Sequence, residues 1–177
     1  IKSRAENTII TNNVIADGAT GTASYSIDLP NGGNATIEHN VIEKGPNAQN
    51  PVIITTGEEG NIYASSSLLV SHNLILNDET AHSVTAVRND TSETAQIIGN
   101  KVWGLTPGQI SSGPANVSGT VFLTTAPPRG PNTDPNVSAA TLSAATNTAR
   151  LGFIASQDSA GQPGRAAASS GALGGNG

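Results

Sequence analysis

The amino-acid sequence predicts an all-β solenoid of about four coils, on the evidence of an internal repeat, the residue types within it and the composition. The segment ITNNVI (10–15) returns as IEHNVI (37–42) and as VSHNLI (70–75). Similarity that recurs at such intervals is typical of solenoids, whose units stack on one another. Charged residues make up only 12% of the chain and aromatic residues only 3%, which disfavours a helical bundle and suits short strands with tight turns.

Alignment on the repeated asparagine gives four units. Asn13, Asn40 and Asn73 coincide, and Lys101 takes this place in the fourth unit, directly after Asn100, at spacings of 27, 33 and 28 positions. Each unit alternates apolar and polar residues and is rich in β-branched side chains, a pattern of strands and not of helices. The units are NTIITNNVIADG (7–18), NATIEHNVIEKG (34–45), SLLVSHNLILND (67–78) and AQIIGNKVWGLT (95–106).

A second apolar segment follows in each unit, after a loop rich in Gly, Asn or Pro. Each coil is therefore expected to contain at least two strands. These segments are YSIDL (25–29), PVIITT (51–56), HSVTAV (82–87) and GTVFLTT (119–125).

The repeated asparagine is predicted to mark a sharp bend between two strands. Asn adopts the left-handed conformation more readily than other non-Gly residues. Its amide also donates and accepts, so that Asn13, Asn40 and Asn73 are expected to form a hydrogen-bonded ladder through stacked coils. In the same alignment Trp103 takes an inward, core position, equivalent to Ile15.

The pattern Ile-x-Asn/His-Asn-Val/Leu-Ile resembles the coil repeat of right-handed parallel β-helix proteins, the pectate-lyase-like superfamily, over residues 7 to 125. The resemblance implies a right-handed parallel β-helix that is secreted or displayed on a cell surface, as in many bacterial proteins. Members bind or process polysaccharides as lyases, epimerases or glycoside hydrolases, or serve as non-catalytic stalks, adhesins or tailspikes. Fold alone does not decide between these functions.

Three regions are expected along the chain. Residues 1–125 form the coils, and because the chain contains no methionine, they are expected to be the C-terminal part of a longer solenoid. Residues 126–155 form a proline-rich connector with a candidate cap, which is irregular or a short helix. Residues 156–177 are rich in Gly, Ala and Ser and are expected to be a flexible tail.

The resemblance to lyases implies a basic catalytic residue, and Arg88 and Lys101 lie on predicted strands. It also implies calcium held by clustered Asp residues, but no such cluster is present, so no cofactor is assigned. The motif R-x-P-x-x-R of pectate lyases is absent as well.

His39 and His72 precede ladder asparagines and are predicted to stack. They could bind a metal or shuttle protons, but without a carboxylate in register they are better explained as polar bend residues. No metal site is predicted. An enzyme would require a groove in which Arg88 or Lys101 lies within a few ångström of carboxylates, whereas a stalk would show a face of Thr, Ser and Asn.

Tyr25 and Tyr63 are the candidate carbohydrate-binding residues, whereas Glu58 and Glu59 are assigned to solubility. A polysaccharide is the expected partner. The net charge of −5 and the scattering of the eight basic residues argue against nucleic acid. No apolar run reaches the roughly 18 residues of a membrane span. Self-association through the solenoid ends, or trimerisation, is also expected, because unpaired strand edges tend to pair.

Overall fold

The computed structural model describes residues 1–127, whose regular secondary structure is all β-strand except for one 3₁₀ turn at Pro107–Gln109. The all-β prediction is confirmed for these residues. The strands are β1 (Asn7–Thr11), β2 (Val14–Ala16), β3 (Ile27–Leu29), β4 (Asn34–Glu38), β5 (Val41–Lys44), β6 (Val52–Thr56), β7 (Ser67–Ser71), β8 (Leu74–Asn77), β9 (Thr85–Asn89), β10 (Ala95–Ile98), β11 (Lys101–Trp103), β12 (Ser111–Ser112), β13 (Ala115–Ser118) and β14 (Val121–Phe122).

The strands form three parallel sheets, and successive strands of the chain belong to sheets I, II and III in turn. Sheet I contains β1, β4, β7, β10 and β13; sheet II contains β2, β5, β8, β11 and β14; sheet III contains β3, β6, β9 and β12. Each strand pairs with the strand three places further along the chain. This order is compatible with an all-β parallel solenoid that has three strands in each repeat.

The segment 119–125 was predicted to close the fourth unit, and this assignment is wrong. The sheet III strand of that unit is β12, which pairs with β9. The strands β13 and β14 instead pair with β10 and β11, in sheets I and II. The short strand β12 carries only two serines, so its sequence gave no apolar signal.

Aliphatic side chains stack in columns between the three sheets and form one core. Complete burial of one such Val, Leu or Ile side chain stabilises the fold by about 1.5–3 kcal/mol. Because side chains alternate between the two faces of a strand, every second residue of the sheet I strands joins the core. In sheet III the strands β3 and β6 are buried throughout, and the adjacent residues Ile53 and Ile54 both belong to the core. Three columns, one for each sheet, are Ile10–Ile37–Val70–Ile97, Ile42–Ile75–Val102 and Ile27–Ile54–Val87.

The predicted asparagine ladder is present between sheets I and II. The backbone N–H of Asn40 donates to Asn73 Oδ1, and that of Asn73 donates to Asn100 Oδ1, both at 2.9 Å. All three side chains are buried. The fourth member is therefore Asn100 and not Lys101, which pairs with Leu74 one position further along. An alignment shifted by one residue gave a similar apolar pattern, but only this register satisfies the buried amides.

The bend itself lies one residue before the ladder asparagine, not at it as predicted. Asn12, His39 and His72 have φ of 59°, 56° and 53°, and Gly99 has φ of 64°. A left-handed conformation costs a non-Gly residue about 1–2 kcal/mol. Hydrogen bonds made by the neighbouring ladder asparagines offset that cost.

The corrected register also moves Trp103 out of the core column. Val102 takes the position next to Ile75, and Trp103 pairs with Leu76 and is half-buried. Apart from residues 126 and 127, the predicted connector, cap and tail lie outside the described residues. Within the described residues, no helix is long and apolar enough to cross a membrane.

Candidate functional site

Arg88 on β9 lies between two carboxylates. Its Nη2 donates to Glu58 Oε2 at 2.5 Å, and its Nε donates to Asp90 Oδ2 at 2.8 Å. The side chains of Arg88 and Glu58 are 28% and 17% exposed, so this ion pair is partly shielded from water. Arg88 is thus a predicted basic residue that has carboxylates within a few ångström.

Tyr25 lies just before β3 and completes the group around Arg88. Its hydroxyl donates to Glu58 Oε2 at 2.5 Å and accepts from Asn50 Nδ2 at 3.0 Å. The guanidinium carbon of Arg88 lies 5.7 Å from the centre of the Tyr25 ring. Burial, together with the hydrogen bond to Glu58, raises the pKa of Tyr25, so the hydroxyl remains a donor. We call Tyr25, Asn50, Glu58, Arg88 and Asp90 the Tyr25–Arg88 cluster.

A tight turn after β6 places the two neighbouring glutamates in different interactions. Gly57 and Gly60 have φ of 80° and 98°, a conformation that favours glycine, and they flank Glu58 and Glu59. Glu58 contacts Arg88, which is 30 positions later in the chain. The assignment of these glutamates to solubility alone is therefore wrong, since both are ion-paired.

Glu59 contacts the N-terminal residues of the described chain. Lys2 Nζ lies 2.9 Å from Glu59 Oε1, and Arg4 Nη1 lies 2.5 Å from Glu59 Oε2. Lys2 Nζ also lies 2.8 Å from Asp28 Oδ2. The hydrogen bonds from Arg4 and Lys2 lower the pKa of Glu59 to about 2. We call Lys2, Arg4, Asp28 and Glu59 the charge-balanced group, because their formal charges sum to zero. This group borders the Tyr25–Arg88 cluster.

Two buried oxygens next to the cluster have no hydrogen-bond partner within residues 1–127. They are Asp28 Oδ1 and Thr55 Oγ1, and the backbone register sets Asp28 beside Thr55 and Thr55 beside Arg88. Thr85 is not part of this row, because it pairs with Val52. Buried polar groups without partners are uncommon in folded proteins.

His39 and His72 stack as predicted, with ring centroids 5.5 Å apart and ring planes within 10° of parallel. Both are half-buried at the bend between sheets I and II. Zinc binds imidazole nitrogens at about 2.0–2.1 Å along the ring plane, so two parallel rings at this separation do not converge on one ion. Among the described residues, no three His, Asp or Glu side chains group as metal ligands.

The remaining candidates lie away from the cluster. Lys101 lies on β11 in sheet II, whereas Arg88 lies in sheet III, so the two predicted bases are not brought together. The hydroxyl of Tyr63 donates to the backbone carbonyl of Arg4, on the side of the charge-balanced group. Of the two tyrosines, only Tyr25 joins Arg88.

Lys44 is the last residue of β5 and is completely buried. Its Nζ donates to the carbonyl of Ser24. Burial lowers the pKa of Lys44, while the charges of Asp17 and Glu79 oppose this shift. The side chain of Lys44 is enclosed by protein.

The partners of Arg88 were not found from the sequence alone. Asp90 carried a usable signal, since residues two apart on an extended segment lie on the same side. Glu58 carried a weaker one, in the Gly-Glu-Glu-Gly turn directly after a predicted strand. Asn50 carried none.

No family model, curated protein or solved structure matches the chain significantly. We therefore infer the function from the geometry of the molecule.

Proposed function

We propose that the chain belongs to a right-handed parallel β-helix protein of the pectate-lyase-like kind, secreted or displayed on a cell surface, that binds a polysaccharide. The fold part of the proposal is supported by the fixed order of three parallel sheets and by the buried asparagine ladder. The location outside the cell is supported by the resemblance of the repeat and by the low content of charged residues, 12%.

The Tyr25–Arg88 cluster carries the functional part of the proposal. A saccharide presents hydroxyl groups that donate and accept, together with an apolar ring face. The cluster offers carboxylates that accept, an amide and a guanidinium that donate, and a half-exposed aromatic ring. A surface built only for solubility would not concentrate these groups between three strands of one sheet.

The proposal concerns binding and not bond cleavage. A lyase would need Arg88 to accept a proton from the substrate, but two carboxylates hold this guanidinium in its charged form. The cluster is therefore arranged to recognise a ligand.

A polysaccharide array probed with the full 177-residue chain tests the proposal. The variant Arg88→Gln removes the charged centre of the cluster, and Lys101→Gln is the matched control, because it removes one positive charge from a different sheet. We expect Arg88→Gln to weaken binding at least about tenfold and Lys101→Gln to change it less than about twofold. Equal losses in the two variants would refute the assignment of the site.

A second candidate function is a non-catalytic stalk, adhesin or tailspike-like module. It is favoured by the way the cluster joins residues next to or within three successive strands of sheet III, at positions 25, 58 and 88. Under this alternative the wild-type chain binds no polysaccharide, and it assembles through its ends or as a trimer. Light scattering coupled to size-exclusion chromatography would measure that assembly directly.

A further inference from the structure

We propose that the ligand of the Tyr25–Arg88 cluster is a neutral saccharide and not a uronic-acid polymer. This inference rests on the proposed function, namely that the cluster binds a polysaccharide, and it adds the chemical class of the ligand. Three features of the structure support it: the formal charge of the cluster, the hydrogen-bonding atoms that remain unused, and the charges around it.

The formal charge of the cluster is negative. Arg88 contributes +1, while Glu58 and Asp90 contribute −1 each, so their sum is −1. A uronate carboxylate that approached Arg88 would meet the negative charge of two carboxylates already bound to its guanidinium through Nη2 and Nε. The geometry that best suits a uronate, a bidentate pair with an uncommitted arginine, is not present in the cluster.

The unused atoms on the two carboxylates are acceptors. Glu58 binds Tyr25 and Arg88 through Oε2 alone, and Asp90 binds Arg88 through Oδ2 alone. Within residues 1–127, Glu58 Oε1 and Asp90 Oδ1 accept no hydrogen bond. An ionised carboxylate oxygen can accept a hydrogen bond from a sugar hydroxyl but not from a second ionised carboxylate. Neutral sugars with neighbouring hydroxyls fit these acceptors.

Among residues 1–127, the surroundings of the cluster provide no compensating positive charge. Lys2 and Arg4, the nearest cations of the charge-balanced group, are both ion-paired with Glu59, and Lys2 is also paired with Asp28. The chain as a whole carries a net charge of −5. The long-range field therefore also repels a polyanion, and more strongly at low salt.

The test compares matched polymers that differ only in charge. Uronic-acid polysaccharides are presented to the full chain both in native form and after reduction of their carboxyl groups to alcohols, alongside neutral glycans, at low and at high salt. We expect neutral forms to bind at least about fivefold more tightly than their acidic counterparts at low salt, with a smaller ratio at high salt. Binding of the neutral forms should be almost independent of salt.

Two variants with the same change in total charge locate the effect. Asp90→Asn brings the formal charge of the cluster to zero and should reduce the preference for neutral forms several-fold. Glu6→Gln removes an exposed carboxylate outside the cluster and should leave the preference close to that of the wild type.

The neutral-ligand inference would be overturned if the acidic forms bound more tightly than the neutral forms, in a salt-sensitive way, and if Arg88→Gln lost that binding. Such a result would still support polysaccharide binding. An equal effect of Asp90→Asn and Glu6→Gln would also overturn it. Retention of neither form of any polymer would overturn the proposed function, and this inference with it.

Discussion

Removal of the central buried amide of the asparagine ladder, in the variant Asn73→Ala, is the sharpest test of what holds the sheets together. Asn73 Oδ1 accepts from the backbone N–H of Asn40 at 2.9 Å and from Asn40 Nδ2 at 3.0 Å. Asn73 Nδ2 donates to the carbonyl of Ile37 at 2.8 Å and to Asn100 Oδ1 at 3.1 Å. Truncation to alanine removes all four contacts from a site that water does not reach.

The expected loss of stability follows from the groups left behind. The buried backbone N–H of Asn40 has Asn73 Oδ1 as its acceptor, and an unsatisfied buried donor costs about 1–3 kcal/mol. The lost donors to Ile37 and Asn100 add about 1 kcal/mol each. We therefore expect a decrease of about 3–5 kcal/mol in the free energy of unfolding, a large part of the total stability of a typical domain.

Urea unfolding measures this decrease, followed by circular dichroism and by the fluorescence of Trp103, the single tryptophan. Asn13→Ala is the matched control, because Asn13 belongs to the same ladder but is exposed. It should lose only about 1 kcal/mol or less, since water can satisfy the groups that it leaves. Equal losses in the two variants, or a loss below about 1 kcal/mol for Asn73→Ala, would refute the ladder as a major source of stability.

Three further predictions follow from the same structure. In Gly104→Ala the new Cβ would lie 2.2 Å from the carbonyl oxygen of Asn77, at a residue whose φ is 74°. Urea unfolding should therefore show a decrease of about 2–4 kcal/mol in the free energy of unfolding. An unchanged unfolding midpoint would contradict the register of β11. A double-mutant cycle of Arg88→Met and Glu58→Gln should give a coupling energy of about 1–2 kcal/mol, because the pair is partly shielded; a value near zero would show that the pair adds no stability. In the folded protein the pKa of Glu59 is lowered from 4.5 to about 2, so that as the pH falls the unfolded chain binds a proton at Glu59 before the folded chain does. The free energy of unfolding should therefore rise with pH between about 2 and 4.5, and it should rise less steeply in Glu59→Gln. Parallel pH profiles of stability for the two proteins would count against the ion pairs.

The stacking of His39 on His72 could be predicted because the same residue type recurs at the same position of two units. The ladder of Asn40 and Asn73 followed for the same reason. Residues at equivalent positions of a stacked repeat must lie next to each other, whatever the loops between them do. These features needed only the repeat.

The register of the fourth unit could not be obtained in this way. Both Asn100 and Lys101 can be aligned with the ladder while leaving a similar alternation of apolar residues. Hydrogen bonding decides between them, because only an asparagine amide both donates and accepts at a buried position. The same one-residue shift determines that Val102, and not Trp103, joins the core.

By itself, the sequence determined that the chain is built from short strands and which residues of its first three units stack, because residue type and repeat spacing depend only on local order along the chain. Only the tertiary structure decided which outward-facing groups meet. The hydroxyl of Tyr25 lies 3.5 Å from Arg88, a residue 63 positions away, and Glu58 lies between them. The loops that carry such residues differ in length and sequence from unit to unit, so no repeat relates them. Their positions are set by the turn of each loop against the stacked sheets.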